Sequence, residues 1–349
     1  MKKLFCLFLV LCLAIPVIFA GGGQQAAPSG GAQDGPTGNI MIYTSMYEDI
    51  IEAVKKIVDR KFPNAKIEFF YGGTGVIQSK IAAEEASGKL GADIFMVAEP
   101  SYALELKERG MLHSFRSPEA SALAFDYCPD GFWYPVRISN MVLAYNPERY
   151  RKNQIPNSLY DFAFDSRVRG AISKSNPLTS GTAMASVTAL RDKYGYEYFE
   201  ALGRQNVMVE SGSVALTKLE TGECMVIMVL EESVLKKREE DNSKLEVIYP
   251  TDGTIVVPST IMVVNDKWSA NNNATSAEKL ANWFLGPEGQ DVIVDGWMHS
   301  VRANFPKLPY DAISTSQIRA NSMPVNWENV FRQRPEIRGK FEELVTARR

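Results

Sequence analysis

The sequence predicts an α/β protein in which mostly parallel sheets are covered by helices on both faces. Short apolar runs, typical of buried strands, alternate along the chain with stretches of helical periodicity. The 349 residues, 45% hydrophobic and 23% charged, have the composition of ordinary globular domains. After a removable N-terminal segment is subtracted, the remaining length still suffices for two domains, each with its own core.

The first 20 residues have the pattern of a secretory signal peptide. Two lysines precede an apolar stretch over residues 4–19, and Ala20 is a small residue at the expected cleavage position. Residues 21–38 are rich in Gly, Gln, Ala, Pro and Ser, which indicates a flexible tether. Lipid anchoring would need a cysteine at position 21, where this chain has Gly21. We therefore expect a soluble periplasmic protein, with a lipid-anchored protein as the alternative.

Three strand-like runs in the first third of the chain each lead into a helix-like stretch. The runs cover residues 40–43, 66–71 and 92–98. The capping-box pattern Ser45-x-x-Glu48 follows the first run, and apolar residues spaced for one helical face follow the pattern.

A second series of strand-like runs covers residues 141–146, 171–175, 207–210 and 224–230. The later run 255–265 is too long for one ordinary strand and contains Pro258. Near-continuous apolar strands joined by helices are typical of parallel sheets buried on both faces.

Four junctions between a strand and a helix consist of small hydroxyl residues and glycines. They are Thr44-Ser45, Gly72–Gly75, Ser175–Thr182 and Ser211–Ser213. In open α/β sheets, ligands bind beyond the carboxyl ends of strands, where helix N-termini favour an anion. Any single junction is better explained by helix capping and turn formation. Together they favour a shared cleft for a small ligand, and none has a nucleotide-binding spacing.

Charge and residue counts argue against several classes of function. The formal net charge is −3, so no basic surplus exists for binding nucleic acid or an anionic membrane. The chain has two histidines and no G-x-S-x-G motif, which disfavours a histidine zinc site, a Ser-His-Asp triad and an enzyme in general. We expect no cofactor. Cys128 and Cys224 could form a disulfide or stay unpaired, although the position of Cys224 in an apolar run indicates a small core residue.

Several segments together resemble the ferric-binding protein family of periplasmic solute-binding proteins, the receptors of ABC importers. Besides the signal and tether, the segments are YTSMYEDII, FFYGGTGVIQSKIAAE, GADIFMVAEPSYALELKERGML, NPLTSGTAMASVTAL and LANWFLGPEGQDVI. The resemblance runs from about Asn39 to Val301.

This resemblance implies a type II periplasmic binding fold, whose two lobes close over a ligand about a two-strand hinge. Residues 39–136 and 257–300 would form one lobe, and residues 137–256 and 301–349 the other. The implied partners are a small anionic solute and the permease and ATPase of an importer. We expect a monomer.

The ligand depends on where the sequence departs from the family. Iron-binding members usually carry two consecutive tyrosines after a Gly-Glu turn, and counting from Gly222-Glu223 this chain has Glu231 and Glu232 there. The family's first-loop ligand falls on Tyr47, and its carboxylate after the third strand falls on Ala98, with Glu99 one residue later. Ferric binding through Tyr47, Glu231 and Glu232 with a synergistic anion is one alternative. An enzyme acting on a phosphate ester is the second.

A phosphorylated sugar or a phosphonate fits the residues better. Hydroxyl and amide donors at helix starts suit the anion, and the two glutamates suit hydroxyl or ammonium groups. Equally, one glutamate could face solvent while the other pairs with Lys236 or Lys237, and Arg137 could form a structural ion pair. The predicted ligand-binding residues are Thr44, Ser45, Tyr47, Gly73, Thr74, Glu99, Arg137, Asn176, Thr179, Ser180, Gly181, Thr182, Ser211, Ser213, Glu231 and Glu232.

Overall fold

The computed structural model describes residues 35–347, which form a mixed sheet flanked by helices on both faces. The predicted signal peptide, and the predicted tether as far as residue 34, lie outside these residues. The last residue of that predicted tether, Gly38, belongs to the first strand, because strand pairing with Ala65 extends to it.

The first part of the chain alternates strands with helices, as predicted. Its elements are β1 (Gly38–Thr44), α1 (Glu48–Lys61), β2 (Ala65–Tyr71), α2 (Thr74–Ala86), β3 (Ile94–Ala98), α3 (Pro100–Glu108) and β4 (Leu112–His113). Acidic residues in the first turn of α1 and basic residues in its last turn complement the helix dipole.

The central part opens with a long strand and continues the alternation. Its elements are β5 (Tyr134–Tyr145), α4 (Leu159–Phe164), β6 (Ile172–Ser175), α5 (Gly181–Tyr194), α6 (Glu197–Arg204), β7 (Met208–Glu210), α7 (Gly212–Thr221), β8 (Val226–Leu230), α8 (Glu231–Glu240) and β9 (Glu246–Ile248). Serine side chains cap α5 and α7 by accepting hydrogen bonds from backbone N–H groups.

The last part contains one more strand and four helices. They are β10 (Ile255–Val264), α9 (Ala274–Leu285), α10 (Pro287–Asp295), α11 (Thr315–Ala320) and α12 (Trp327–Phe341), which continues into a π-helical segment over Glu342–Thr346.

The main path of the sheet runs in the order β2-β1-β3-β10-β5-β8-β6-β7. Its outer pairs are parallel, whereas β10 and β5 are antiparallel to each other and to their outer neighbours. β10 pairs with β3 through Ser259–Val263, and β5 pairs with β8 through Met141–Tyr145. These two fully buried strands therefore join a first half, built around β1–β4, to a second half, built around β6–β9.

Each half has hydrophobic cores on both faces of its part of the sheet. In the first half, α1, α9 and α10 cover one face and α2 and α3 the other. In the second half, α4, α5, α6 and α12 cover one face and α7 and α8 the other. Fully buried side chains such as Phe284 and Phe341 each contribute about 1.5–3 kcal/mol of transfer free energy.

The predicted α/β class is confirmed, with two differences in the central strands. The expected strand over residues 141–146 begins earlier, at Tyr134. Its first half contains the buried polar residues Arg137, Ser139 and Asn140, which interrupt the apolar pattern used to predict the strand. The run 255–265 forms one strand despite its length. It accommodates Pro258 next to a register shift between Ser259 and Thr260.

Cys128 and Cys224 are free, buried thiols that belong to different cores. The core position expected for Cys224 is confirmed. Among residues 35–347, the helices are all too short or too polar to cross a membrane.

Candidate functional site

A cavity of about 260 Å³ lies where strand ends and helix starts of both halves face one another. Most of the predicted ligand-binding residues line it. These are Ser45, Tyr47, Gly73, Thr74, Arg137, Asn176, Thr179, Ser180, Gly181, Thr182, Ser211, Ser213 and Glu232.

The starts of α1, α2, α5 and α7 all reach this cavity, and they converge across the two halves. The Gly75 N–H donates to the Thr179 carbonyl at 3.1 Å, which joins the start of α2 to the loop before α5. A Cβ added to Gly212 would lie 3.7 Å from the Tyr47 hydroxyl, so the starts of α1 and α7 are also adjacent. Free N–H groups and positive dipole ends from several helices therefore face one space.

The Arg137 guanidinium supplies positive charge at the cavity wall. Arg137 is 4% exposed, and its Nη2 donates to Ser45 Oγ at 3.2 Å. Its Nε has no hydrogen-bond partner among the described residues, which leaves donor capacity unused. Burial lowers the pKa of Arg137, while the nearby Glu232 carboxylate opposes that shift. The guanidinium still stays charged at neutral pH.

Two carboxylates add acceptors to the same cavity. Glu232 accepts a hydrogen bond from Ser139 Oγ at 2.9 Å, and burial raises the pKa of Glu232 against the opposing charge of Arg137. Glu210 forms an ion pair with Lys218 at 2.7 Å through Oε1. The other oxygen of Glu210 is buried and has no partner within the described chain. A ligand hydroxyl or ammonium group would satisfy such acceptors.

The tyrosines of the cavity remain protonated. Burial raises the pKa of Tyr47 to about 12, and it also raises the pKa of Tyr71. The Tyr47 hydroxyl lies 3.2 Å from Ser233 Oγ. Residues 35–347 contain no group of three or more His, Cys, Asp or Glu side chains placed to hold a metal ion.

Glu231 was expected beside Glu232 but lies outside the cavity. α8 begins at Glu231, so the two side chains diverge by about 100° around a helix. Glu231 accepts hydrogen bonds from Asn140 Nδ2 at 3.0 Å and from the Tyr249 hydroxyl, and its Oε2 lies 3.0 Å from His299 Nε2. The carboxylate is already satisfied within a buried network. The proposed iron set of Tyr47 with both glutamates is therefore not assembled.

Thr44 and Glu99 are the other predicted residues that the structure does not place on the cavity wall. Thr44 is fully buried, and its Oγ1 accepts a hydrogen bond from the Met46 N–H at 3.1 Å. Glu99 caps α3 through Ser101 N at 2.9 Å and forms an ion pair with Arg334 at 3.2 Å. Both side chains have structural partners.

Sequence reasoning missed several residues of the cavity, among them Ser139, Glu210 and Met298. Glu210 ends β7 directly before the predicted Ser211 junction, so the rule for strand ends could have included it. Met298 follows α10 and reaches the cavity beside Arg137, at 3.1 Å from Nη1. No local pattern marks Met298.

Comparison with known proteins identifies the family. The family model described as "Bacterial extracellular solute-binding protein" matches residues 91–330, which is more than half of the chain. The chain belongs to this family. This finding confirms the resemblance inferred from the sequence motifs.

Individual relatives are distant in sequence and similar in fold. The Fe(3+)-binding periplasmic protein of Serratia marcescens is 23% identical over 297 residues, covering 81% of this chain and 82% of the relative. The structure of the periplasmic binding protein AfuA from Actinobacillus pleuropneumoniae, with fructose-6-phosphate bound, superposes with a TM-score of 0.76. It is 20% identical and covers 88% of this chain and 98% of AfuA.

Iron-bound HitA from Pseudomonas aeruginosa superposes with a TM-score of 0.75 at 19% identity, covering 88% of this chain and 99% of HitA. These likenesses confirm the two-lobed periplasmic binding fold. The exact lobe boundaries, near residues 136 and 257 and at residue 300, remain predictions.

Proposed function

We propose that this protein is the periplasmic receptor of an ABC importer and captures a small organic phosphate or phosphonate between its two halves. The main support for this proposal is that four helix starts, from both halves, converge on one cavity that is also lined by Arg137. Backbone N–H groups, hydroxyls and a guanidinium together bind a tetrahedral oxyanion.

The remaining polar groups indicate what else the solute carries. Glu232 and the Glu210 oxygen that has no partner among residues 35–347 can accept hydrogen bonds, so they favour a ligand with hydroxyl or ammonium groups beside the anion. A phosphorylated sugar and an aminoalkylphosphonate both have this composition. The bound sugar phosphate of AfuA supports the first of these classes for a fold of this kind.

The solute would be delivered to a membrane permease and its ATPase, the partners that a receptor of this class requires. We infer a monomer in the periplasm, exported by the N-terminal signal. The family description as extracellular solute-binding and the periplasmic relative support this location.

A melting-temperature panel on the purified chain tests the proposal. The probes are fructose 6-phosphate, 2-aminoethylphosphonate, inorganic phosphate and ferric citrate. A ligand at 100 times its Kd stabilises the folded state by about 2.7 kcal/mol, a shift of several degrees. Stabilisation by an organic phosphate or phosphonate is expected. The absence of a shift with every phosphorus compound would contradict the proposal, and release of inorganic phosphate from an ester would favour an enzyme.

Variants at the start of α5 test whether this junction contacts the ligand. Ser180 and Thr182 line the cavity, and their hydroxyl oxygens lie 3.0 Å apart. Ser180→Ala with Thr182→Val removes two donors at about 1 kcal/mol each, so affinity should fall roughly 30-fold. The melting temperature of the ligand-free variant controls for the lost helix cap. Unchanged affinity would remove this junction from the site.

Ferric ion with a synergistic anion is the second candidate, because the Serratia relative and HitA are named as iron-binding proteins. The position of Glu231 in its own buried network disfavours it, because Glu231 is then separated from Glu232 and Tyr47. Native mass spectrometry of gently purified protein separates the candidates, since bound iron and a bound sugar phosphate differ in mass.

A further inference from the structure

The C-terminal helix α12 contacts both halves of the molecule. One side contributes Val330, Ile337 and Phe341 to a core of the second half. Another side packs against α3 of the first half, next to the cavity-lining residue Ala98. α12 therefore adds a connection between the halves besides the strands β5 and β10.

Arg334 forms the centre of this contact. It is 8% exposed, and its guanidinium donates to Glu99 at 3.2 Å, to Ser101 Oγ at 2.6 Å and to Glu105 at 2.8 Å. All three partners are on α3 or at its N-cap, in the first half. A single side chain of the second half thus binds three residues of the first.

The same helix also holds the loop before α5, residues 176–180, which lines the cavity and is called the solute loop below. Arg338 Nη2, one turn beyond Arg334, donates to the Leu178 carbonyl at 3.3 Å. The neighbouring Thr179 carbonyl accepts the hydrogen bond from Gly75 of the first half. α12 therefore contacts the proposed solute loop and the opposite half at once.

Glu99 has a backbone conformation that the surrounding contacts must maintain. Its φ is +71° and its ψ is 131°, a region that non-glycine residues rarely adopt. The Glu99 N–H donates to the Pro258 carbonyl at 3.2 Å, and its carboxylate is 1% exposed. Strain of this kind persists where neighbouring groups fix the residue, and here Arg334 and Ser101 do so.

We propose that α12 is a latch, defined by Arg334 and Arg338, that holds the two halves closed and keeps the closed form populated before any solute binds. Arg334 fastens α3 to the second half, and Arg338 fixes the solute loop in the same state. This proposal rests on the proposed function in one respect, because it takes the closing of the two halves as the movement that accompanies solute binding.

Buried and exposed ion pairs within this contact provide a matched comparison. Removing one partner of a buried pair leaves an uncompensated charge, which strongly disfavours the state that buries it. Arg332 and Glu108 pair across the same two helices, but both side chains are about half exposed. Such surface pairs contribute little. Arg332→Gln is therefore the control for Arg334→Gln.

The experiment measures the ligand-free chain by small-angle X-ray scattering and by hydrogen exchange of α3 amides. Arg334→Gln should raise the radius of gyration and speed exchange over Ser101–Glu108 at least tenfold. Arg332→Gln should stay within twofold of the unmodified chain. Adding Glu99→Gln to Arg334→Gln removes the unpaired carboxylate, and the double variant should stay open because the bonds from Arg334 to α3 are still missing.

Melting temperatures establish that each variant is folded, and the double variant supplies a test if Arg334→Gln is not. An unchanged radius and exchange rate in a folded Arg334→Gln chain would overturn the latch. A double variant with the radius and exchange rate of the unmodified chain would do the same, because it would assign the opening to the unpaired Glu99 carboxylate and not to the lost Arg334 bonds. Because no solute is added, these outcomes are independent of whether the chain binds organic phosphates.

Discussion

Gly75→Ala should stabilise a helix and weaken solute binding at the same time. Gly75 lies in the first turn of α2, and its backbone is close to the loop of the second half. A Cβ at this position would lie 2.7 Å from the Leu178 carbonyl oxygen and 3.1 Å from Thr179 Cα. Both atoms are backbone atoms, so neither can rotate away.

The magnitude follows from this geometry. Restoring ordinary van der Waals contact requires the loop to move by about 0.7 Å, which also stretches the hydrogen bond from Gly75 N to Thr179 O. Overpacking of this kind costs about 1–3 kcal/mol, equivalent to about 5- to 150-fold in affinity. Alanine in place of glycine favours a helix by about 0.5–1 kcal/mol, and the open form obtains this gain without the clash.

The assay compares ligand-free melting temperature with affinity for the phosphorus compound that shifts the melting curve most. The matched control is Gly339→Ala in α12, where a Cβ would have no atom of the described residues within 4 Å. The control should gain stability and keep its affinity. If Gly75→Ala binds as tightly as the unmodified chain, the bound state does not bring α2 against this loop, and the closure we infer is wrong.

Three further predictions concern single residues. Glu231→Gln should lower the free energy of unfolding with little effect on solute binding, whereas Glu232→Gln should change solute selectivity. Denaturation curves and solute titrations of both variants separate the two roles. The reverse pattern would contradict the structure. Added ferric ion should give no visible phenolate charge-transfer band, because Glu231 and Glu232 stand where iron-binding members of the family carry paired tyrosines. Burial lowers the pKa of Lys174 to about 7 in the folded chain, so the unfolded chain binds the extra proton between pH 7 and pH 10. Lys174→Met should therefore be more stable than the unmodified chain at pH 7. Its advantage in free energy of unfolding should shrink by about 1.4 kcal/mol per pH unit between pH 7 and pH 10. An advantage independent of pH would be inconsistent with a buried amine that titrates in this range.

Local pattern was sufficient for the elements and for most of the cavity wall. Capping residues such as Ser180 and Ser211 mark where helices begin, and parallel strands deliver those starts to one edge of a sheet. Thirteen of the sixteen predicted residues consequently line one cavity. Whether they bind the solute remains a prediction.

The residues that local pattern misassigned are those with distant partners. Glu99 is satisfied by Arg334, 235 positions away in sequence, and Glu231 by His299, 68 positions away. A carboxylate beside a predicted junction looks free until the fold brings such a partner to it. Met298 illustrates the converse case, because only the fold brings this apolar side chain to Arg137.

The glycines of the junctions lie where the two halves approach each other. A Cβ at Gly73 would lie 2.8 Å from the Thr179 carbonyl, in the other half. A Cβ at Gly181 would lie 2.8 Å from Thr74 Oγ1 and 3.0 Å from the Ala98 carbonyl, again across the two halves. These glycines therefore set how closely the halves approach each other. Because helix N-termini act on an anion only at short range, that approach decides how many of them reach the solute together. Replacing these glycines with alanine should consequently reduce affinity, because the added Cβ atoms would hold the two halves apart.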